Sequence, residues 1–180
     1  MQVDFSDLRF TNGSNTLLDY WLQDVVNSSS VTAWVEVDSL TASGNTTIYM
    51  YYSNTDVSTT SNGTATFLLF DDFEDGTIDT NIWTEVDQAG GNEITEHDGS
   101  LWFARDTNDA WDKIVYSDDS FSRSNLSFEF DYWWRSNNAA WDALMMGWKD
   151  NGAGVSYANF VYAYYNNGGS GSGTSITQMV

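Results

Sequence analysis

Apolar and polar residues alternate with a period of two in most segments of the chain, and the segments are short. In residues 31–37, Val31, Ala33 and Val35 occupy alternate positions, and residues 48–52 show a similar alternation. Clusters of Gly, Asn, Asp and Ser separate these segments. Alternation of this kind is typical of half-buried β-strands rather than helices. The sequence therefore predicts an all-β protein built from antiparallel sheets.

Neighbouring strand candidates are predicted to pair as hairpins. Residues 31–37 are expected to pair with residues 48–52. Residues 127–135 are expected to pair with residues 141–149, with Trp134 opposite Asp142, because that register collects the large apolar groups on one side of the sheet. Further strands are predicted at residues 4–10, 17–22, 101–105, 113–117, 155–165 and 176–180, and the Gly/Ser-rich residues 166–174 are predicted to form a flexible loop.

The chain is predicted to contain two modules. Residues 53–64 are polar and rich in turn-forming residues, which favours a connection. We therefore expect a small β module at residues 1–65 and an antiparallel β-sandwich or jelly roll at residues 66–180. A sandwich normally needs more strands than these residues supply, so both modules are expected to be incomplete.

The composition of the chain limits the classes of molecule that it is expected to bind. The formal net charge is -20 and aromatic residues make up 16% of the chain, which indicates a folded acidic protein rather than a disordered tail. Such a charge repels the phosphates of nucleic acids and anionic membranes, and suits divalent cations or neutral glycans. The chain has no cysteine, no basic-then-apolar signal after Met1, and no apolar run long enough for membrane insertion.

Four blocks in the first module resemble the later part of the family called domain of unknown function 2341. The blocks are DFSDLRFT at residues 4–11, LDYW at 18–21, VTAWVEV at 31–37 and TTIYMYY at 46–52. The chain departs from the family pattern at Asp38, where the family often has proline, and at Ser53, where it often has glycine. The resemblance covers residues 4–70, implies a secreted or cell-surface setting, and places the family's opening strands before Met1.

Residues 69–180 resemble the first part of a concanavalin-A-like lectin/glucanase jelly roll. The matching pieces are FDDF at residues 70–73, Trp83, GSLWF at 99–103 and FEFD at 128–131. The superfamily includes lectins, adhesion modules and glycoside hydrolases, so the resemblance implies a fold and leaves the function open.

One strand carries the candidate ligand-binding residues. In related glucanases a similar strand holds a nucleophile and an acid/base, but Trp133 stands where the second Glu is needed, which argues against catalysis. Aromatic planes beside charged hydrogen-bonding groups are instead typical of sugar sites. The alternatives are a solvent-facing strand side and a structural cation–π pair. The candidate ligand-binding residues are Glu129, Asp131, Trp133, Arg135 and Trp141.

A second candidate site is an acidic turn at the start of the second module. Calcium takes six to eight oxygen ligands, and short acidic turns with a glycine can supply several. The alternative is a solvated turn, and the 12-residue spacing of an EF-hand is absent. The candidate metal ligands are Asp71, Asp72, Glu74 and Asp75, beside Gly76.

These observations favour a non-catalytic carbohydrate-binding or adhesion module of an extracellular or cell-surface protein, with calcium as its only candidate cofactor. Two alternatives stay open. One is a structural subunit that self-associates by adding β-strands to open sheet edges. The other is a fragment of a glycoside hydrolase.

Overall fold

The protein is an all-β chain with antiparallel pairing throughout, as the sequence predicted. The structure, a computed structural model, describes residues 1–87, 94–103, 113–122, 124–136, 142–149, 160–167 and 171–179. The described strands are β1 (Arg9–Asn12), β2 (Leu17–Leu18), β3 (Tyr20–Val26), β4 (Ser30–Val35), β5 (Ile48–Tyr51), β6 (Trp83–Asp87), β7 (Ile94–His97), β8 (Ser100–Phe103), β9 (Lys113–Ser117), β10 (Phe128–Ser136), β11 (Asp142–Lys149), β12 (Phe160–Asn167) and β13 (Gly171–Met179). One helical turn, α1 (Gly63–Thr66), is the described exception.

The chain separates into two compact units. The first comprises Met1–Ile78 and Thr95–Trp102, and the second comprises Asp79–Ile94 and Phe103–Val180. The module boundary predicted between residues 65 and 66 stays a prediction. Within the described residues, none of the helical structure has the length and apolar character of a membrane-spanning helix.

The core of the first unit lies on one face of a three-stranded sheet with the order β2-β1-β5. Phe10 lies opposite Leu18 of β2 and opposite Met50 of β5. Side chains opposite one another in a sheet share a face, so these three apolar residues point the same way. Phe10 and Leu18 are buried, together with the other core residues Phe5, Leu8 and Tyr20. The face of the sheet that carries these residues is therefore buried at β1 and β2 and exposed at the β5 edge.

Strand partners in the first unit differ from those predicted. β4 pairs with β3, with Trp34 opposite Trp21, and β5 pairs with β1. The predicted hairpin of residues 31–37 with residues 48–52 is therefore wrong. Alternation in sequence identifies which side of a strand is buried, but several apolar strands offer the same pattern as a partner.

The polar segment at residues 53–62 packs on the first unit rather than linking two modules loosely. The carbonyl oxygen of Ser58 accepts a hydrogen bond from Arg9 Nη2 at 2.6 Å. The hydroxyl of Ser61 accepts from the backbone N–H of Leu22 at 2.8 Å. The side chain of Asn62 then caps α1 by accepting from the backbone N–H of Ala65 at 3.1 Å. The first two bonds tie a segment that has no strand of its own to β1 and β3.

The second unit contains three described two-stranded ribbons: β6 with β9, β10 with β13 and β11 with β12. The register of β10 with β13 sets Trp134 opposite Gly173 and Phe128 opposite Met179. The predicted pairing of Trp134 with Asp142 is therefore wrong, because Asp142 lies opposite Asn167 of β12. Residues 171–174, predicted as part of a flexible loop, lie in β13.

Candidate functional site

The acidic turn at residues 70–77 is bent by hydrogen bonds to its own backbone. The Asp71 Oδ1 atom accepts from the backbone N–H two residues further on at 2.9 Å. The Asp75 Oδ1 atom accepts from the backbone N–H and the hydroxyl of Thr77, at 3.0 and 3.2 Å. Gly76 has a φ of 78°, in the left-handed region that glycine adopts readily. These hydrogen bonds bend the backbone after Asp71 and again at Asp75 and Gly76.

Glu96, in β7, meets this turn from another part of the chain. It is a buried residue, and its Oε1 atom accepts a hydrogen bond from the backbone N–H of Gly76 at 2.9 Å. A two-residue turn joins β7 to β8, with φ of 54° at Asp98 and 67° at Gly99, as hairpin turns of the Asp-Gly type require. A Cβ atom at Gly99 would lie 2.5 Å from Glu74 Oε1. Two tight turns therefore hold carboxylates from two segments of the first unit.

The carboxylates influence one another's protonation. Burial raises the pKa of Glu96 above its ordinary value, and the negative charges of Asp75 and Asp71 raise it further, while the Gly76 hydrogen bond opposes the shift. The pKa of Asp75 is lowered, chiefly by the hydrogen bond from the Thr77 backbone N–H. Asp75 therefore keeps its charge to a lower pH than Glu96.

The predicted metal ligands are thus only partly brought together. Asp71 and Asp75 act electrostatically on Glu96, Glu74 lies against Gly99, and Asp72 is exposed. In the part of the chain that the structure describes, no group of three or more His, Cys, Asp or Glu side chains is arranged to hold a metal ion. The metal set predicted from the sequence stays a prediction.

Sequence reasoning did not single out Glu96. By alternation Glu96 shares a side of β7 with Ile94, but one apolar residue in a four-residue strand does not identify which side is buried. The signal that was present is the Asp98-Gly99 pair directly after a four-residue strand, which marks a hairpin turn. That signal locates the hairpin of β7 and β8, but it does not show that the hairpin lies against the acidic turn.

The predicted ligand-binding residues lie along β10. Glu129 is exposed, whereas Phe128 and Phe130 on either side are partly buried and have ring centroids 5.1 Å apart. Asp131, Trp133 and Arg135 occupy alternate positions after Glu129, so all four share one face of the strand. The register of β13 places Gln178, Ile176, Thr174 and Ser172 opposite these four positions. Trp141, the fifth predicted residue, lies outside the described residues.

β5 forms an edge of the three-stranded sheet and is exposed on both faces. Its four residues, Ile48, Tyr49, Met50 and Tyr51, are exposed by 39–51%, and Tyr52 just beyond by 55%. Four successive large apolar or aromatic residues at a sheet edge are unusual, since proteins normally protect such edges with charge or cover.

An aromatic cluster lies on the ribbon formed by β3 and β4. Phe67 and Phe70 stack with centroids 5.7 Å apart and planes inclined by 8°. The Trp21 ring meets the Phe70 ring edge-on at 4.8 Å, and the Trp34 ring meets the Phe67 ring at 5.8 Å. Gly63 lies under this cluster, since a Cβ there would be 2.2 Å from a Phe70 ring carbon. The cluster anchors residues 67–70, which lead into the acidic turn.

Comparison with known families bears on the first part of the chain. Residues 4–86 match the family described as Domain of unknown function (DUF2341). The match confirms the resemblance seen in the first module and continues to residue 86, within β6. It covers less than half of the chain. No curated protein and no solved structure gives a significant match.

The segment that matches this family contains β1 to β5, α1 and the acidic turn, whereas Glu96 and the candidate ligand face on β10 follow it. The family's description carries no activity. The resemblance of residues 69–180 to a concanavalin-A-like jelly roll stays a prediction.

Proposed function

We propose that the protein is a non-catalytic carbohydrate-binding or adhesion module of an extracellular or cell-surface protein. Its second module would be a concanavalin-A-like jelly roll that binds glycans on the face of β10 bearing Glu129. The observation that supports this proposal is the register of β10 with β13, which lines up hydrogen-bonding residue types on the same face as Trp133.

Glu129 is exposed near the start of β10. Because Phe128 and Phe130 are partly buried and Glu129 is not, the side of the strand that bears Glu129 is the one open to a ligand at this end. The same side carries Asp131, Trp133 and Arg135 by strand alternation. Carboxylates and a guanidinium form strong, directional hydrogen bonds to hydroxyls, and an aromatic ring offers a flat apolar surface.

The partner strand adds to the same face. The positions opposite Glu129, Trp133 and Arg135 are Gln178, Thr174 and Ser172, which are amide or hydroxyl residues, and the apolar Ile176 lies opposite Asp131. A face with carboxylate, amide, hydroxyl and aromatic groups matches the mixed polar and apolar surface of a sugar better than it matches a protein core. Hydrolysis is not favoured, because retaining enzymes need a nucleophile and an acid/base held about 5 Å apart, and Trp133 occupies the next position on this face.

A glycan array tests the proposal. The wild type should bind at least one class of immobilised glycan, and Trp133→Ala should lose that binding while the far-ultraviolet circular dichroism spectrum stays unchanged. Trp102→Ala is the matched control, because Trp102 is 42% exposed on β8, in the first unit. A Trp133→Ala protein that binds like the wild type would refute this site. A wild type that binds no glycan would refute the function.

A second candidate function rests on β5. We propose that two copies of the chain associate by antiparallel pairing of their β5 edges, so that the protein acts as a structural subunit. Residues 48–52 carry no charge in a chain whose net charge is -20, so two copies repel each other least along this edge. Pairing would satisfy the edge backbone groups and cover the exposed tyrosines.

Light scattering coupled to size-exclusion chromatography tests this second candidate. The wild type should form dimers whose fraction rises with concentration, and Tyr51→Lys should be monomeric. Leu40→Lys is the control, since Leu40 is 79% exposed but lies outside any strand. A wild type that stays monomeric across the concentration range would exclude this mode of assembly.

A further inference from the structure

Glu96 is a buried carboxylate with only one of its two oxygens satisfied. The residue is 7% exposed. Its Oε1 atom accepts from the Gly76 backbone N–H at 2.9 Å. Its Oε2 atom is buried and has no hydrogen-bond partner in the described structure. An unpaired buried oxygen of a charged group is costly, since burial removes its water without replacing it.

The surroundings of Glu96 make its negative charge less favourable still. Asp75 and Asp71 both act on it with like charge, and the Asp75 side chain is close enough to share a hydrogen bond with Glu96 when one of the two carboxyls is protonated. Among the described residues, no lysine or arginine forms an ion pair with Glu96 or Asp75. A carboxylate held in this way needs either a proton or a cation beside it. The geometry of the two turns allows a cation, because Asp75 and Glu96 approach each other from separate segments.

We propose that Glu96 and Asp75 bind a calcium ion between the acidic turn and the hairpin of β7 and β8. The buried Oε2 atom of Glu96 supplies one ligand, the Asp75 carboxylate supplies another, and main-chain carbonyls and water complete the coordination. Calcium accepts such mixed sets of oxygens in irregular geometry. This assignment changes the metal set predicted from the sequence, in which Glu96 had no part and Asp72 was included.

The chemistry of the groups selects calcium over other common ions. Zinc prefers nitrogen and sulfur ligands, whereas this chain has no cysteine and the groups here are all oxygens. Magnesium requires near-ideal octahedral geometry and keeps most of its water. Two carboxylates from separate turns, one of them with a buried oxygen, fit the larger and more adaptable ion.

The proposed ion joins segments that are distant in sequence. Asp75 and Glu96 both belong to the first unit, and they lie on opposite sides of β6 in the chain. An ion bound by the folded protein alone raises stability according to its concentration and affinity. Calcium would thus fasten the hairpin of β7 and β8 to the first unit, independently of glycan binding on β10.

Calorimetric titration with calcium chloride, combined with thermal unfolding in calcium or chelator, tests the site. The wild type should bind one ion, and its unfolding midpoint should rise with calcium. Glu96→Gln keeps the shape and one hydrogen-bonding oxygen of the side chain but loses its charge. It should weaken calcium binding by about tenfold or more, since affinity follows the number of charged ligands. Asp72→Asn removes the same charge from an exposed neighbour and should bind like the wild type.

The two variants also separate a bound ion from a shared proton. Without calcium, Glu96→Gln should be at least as stable as the wild type, because it removes a buried charge that lacks a partner. With calcium, only the wild type and Asp72→Asn should gain stability. A wild type whose unfolding midpoint and heats of titration do not respond to millimolar calcium would overturn the proposal. An Asp72→Asn protein that loses binding as completely as Glu96→Gln would overturn the assignment of ligands.

Discussion

The hydroxyl of Tyr20 donates a hydrogen bond of 2.7 Å to the carbonyl oxygen of Leu8. The hydroxyl oxygen of Tyr20 in turn accepts from Arg9 Nη1 at 3.2 Å and from the Thr60 hydroxyl at 3.1 Å. Tyr20 is 2% exposed, and its ring meets Phe10 edge-on at 5.2 Å. A single side chain therefore joins the apolar core of the first unit to the polar segment at residues 53–62.

Replacement of Tyr20 by Phe should destabilise the first unit. The ring and its packing remain, but the hydroxyl's hydrogen bonds to Leu8, Arg9 and Thr60 are lost, and the loss of a buried hydrogen bond typically costs about 1–3 kcal/mol. Urea unfolding followed by circular dichroism measures the effect. Tyr52→Phe is the control, because Tyr52 is 55% exposed, and its unfolding curve should match that of the wild type. Equal curves for both variants would contradict the role given to the Tyr20 hydroxyl.

Replacement of Ser53 by Gly should stabilise the protein. Ser53 has a φ of 78°, a conformation that costs a residue with a Cβ about 1–2 kcal/mol. The extra freedom of glycine in the unfolded chain offsets about 0.5–1 kcal/mol of that gain. A net gain of about 0.5–1 kcal/mol is therefore expected in denaturant unfolding. Ser58→Gly, at a residue without a positive φ, should be neutral or destabilising.

Replacement of Gly63 by Ala should disrupt the aromatic cluster. The added Cβ would lie 2.2–2.4 Å from three carbon atoms of the Phe70 ring. That ring is held between Phe67 and Trp21, so it cannot move without cost, and overpacking of this kind costs about 1–3 kcal/mol. Gly13→Ala is the control, since a Cβ there meets nothing within 4 Å. Thermal unfolding of the two variants should differ by several degrees, and equal midpoints would contradict the packing described.

The pH dependence of stability should carry the signature of Glu96. Its pKa is raised in the folded state, mainly by burial. The resulting stabilisation is fully present below the ordinary pKa of 4.5 and is lost as the pH rises through the raised value. In chelator, Glu96→Gln should therefore lose less stability than the wild type between pH 4 and pH 7. Glu85→Gln, at an exposed carboxylate of β6, should follow the wild type.

Asp75 should act in the opposite direction over a lower pH range. Its pKa is lowered, chiefly by the Thr77 backbone N–H, so its stabilisation is present above the ordinary pKa of 3.8 and is lost as the pH falls through the lowered value. Asp75→Asn should therefore be less sensitive than the wild type to acid below pH 4. Unfolding midpoints measured across the acid range separate this contribution from that of Glu96.

The location of many strands could be predicted from the sequence, although β6 and β7 were not predicted, but the partners of the strands could not. Residues 31–37 cover most of β4 and residues 48–52 all of β5, because period-two alternation reports burial on one side of a strand. By alternation alone, Met50 can lie opposite Phe10 or opposite a residue of β4. Only the packing of the whole sheet decides which strand pairs with β5. The same limit applies to Trp134, which lies opposite Gly173 rather than Asp142.

In the candidate sites, too, residues that are neighbours in sequence could be predicted, and residues that come from distant segments could not. Asp71 and Asp75 could be predicted as a possible cation site because they are neighbours in sequence. Glu96 could not, since it enters through a hairpin 21 residues beyond Asp75 in the printed sequence. The alternating residues of β10 could be predicted to share a face, whereas the residues of β13 opposite them depend on a pairing that spans a long stretch of chain.

The first unit is assembled from two stretches of chain, Met1–Ile78 and Thr95–Trp102, with β6 of the second unit between them. During synthesis the earlier stretch leaves the ribosome before the hairpin that completes it has been made. The first unit thus cannot finish folding until part of the second has emerged. At the level of the gene, any segment that carries the first unit whole also carries β6 of the second unit.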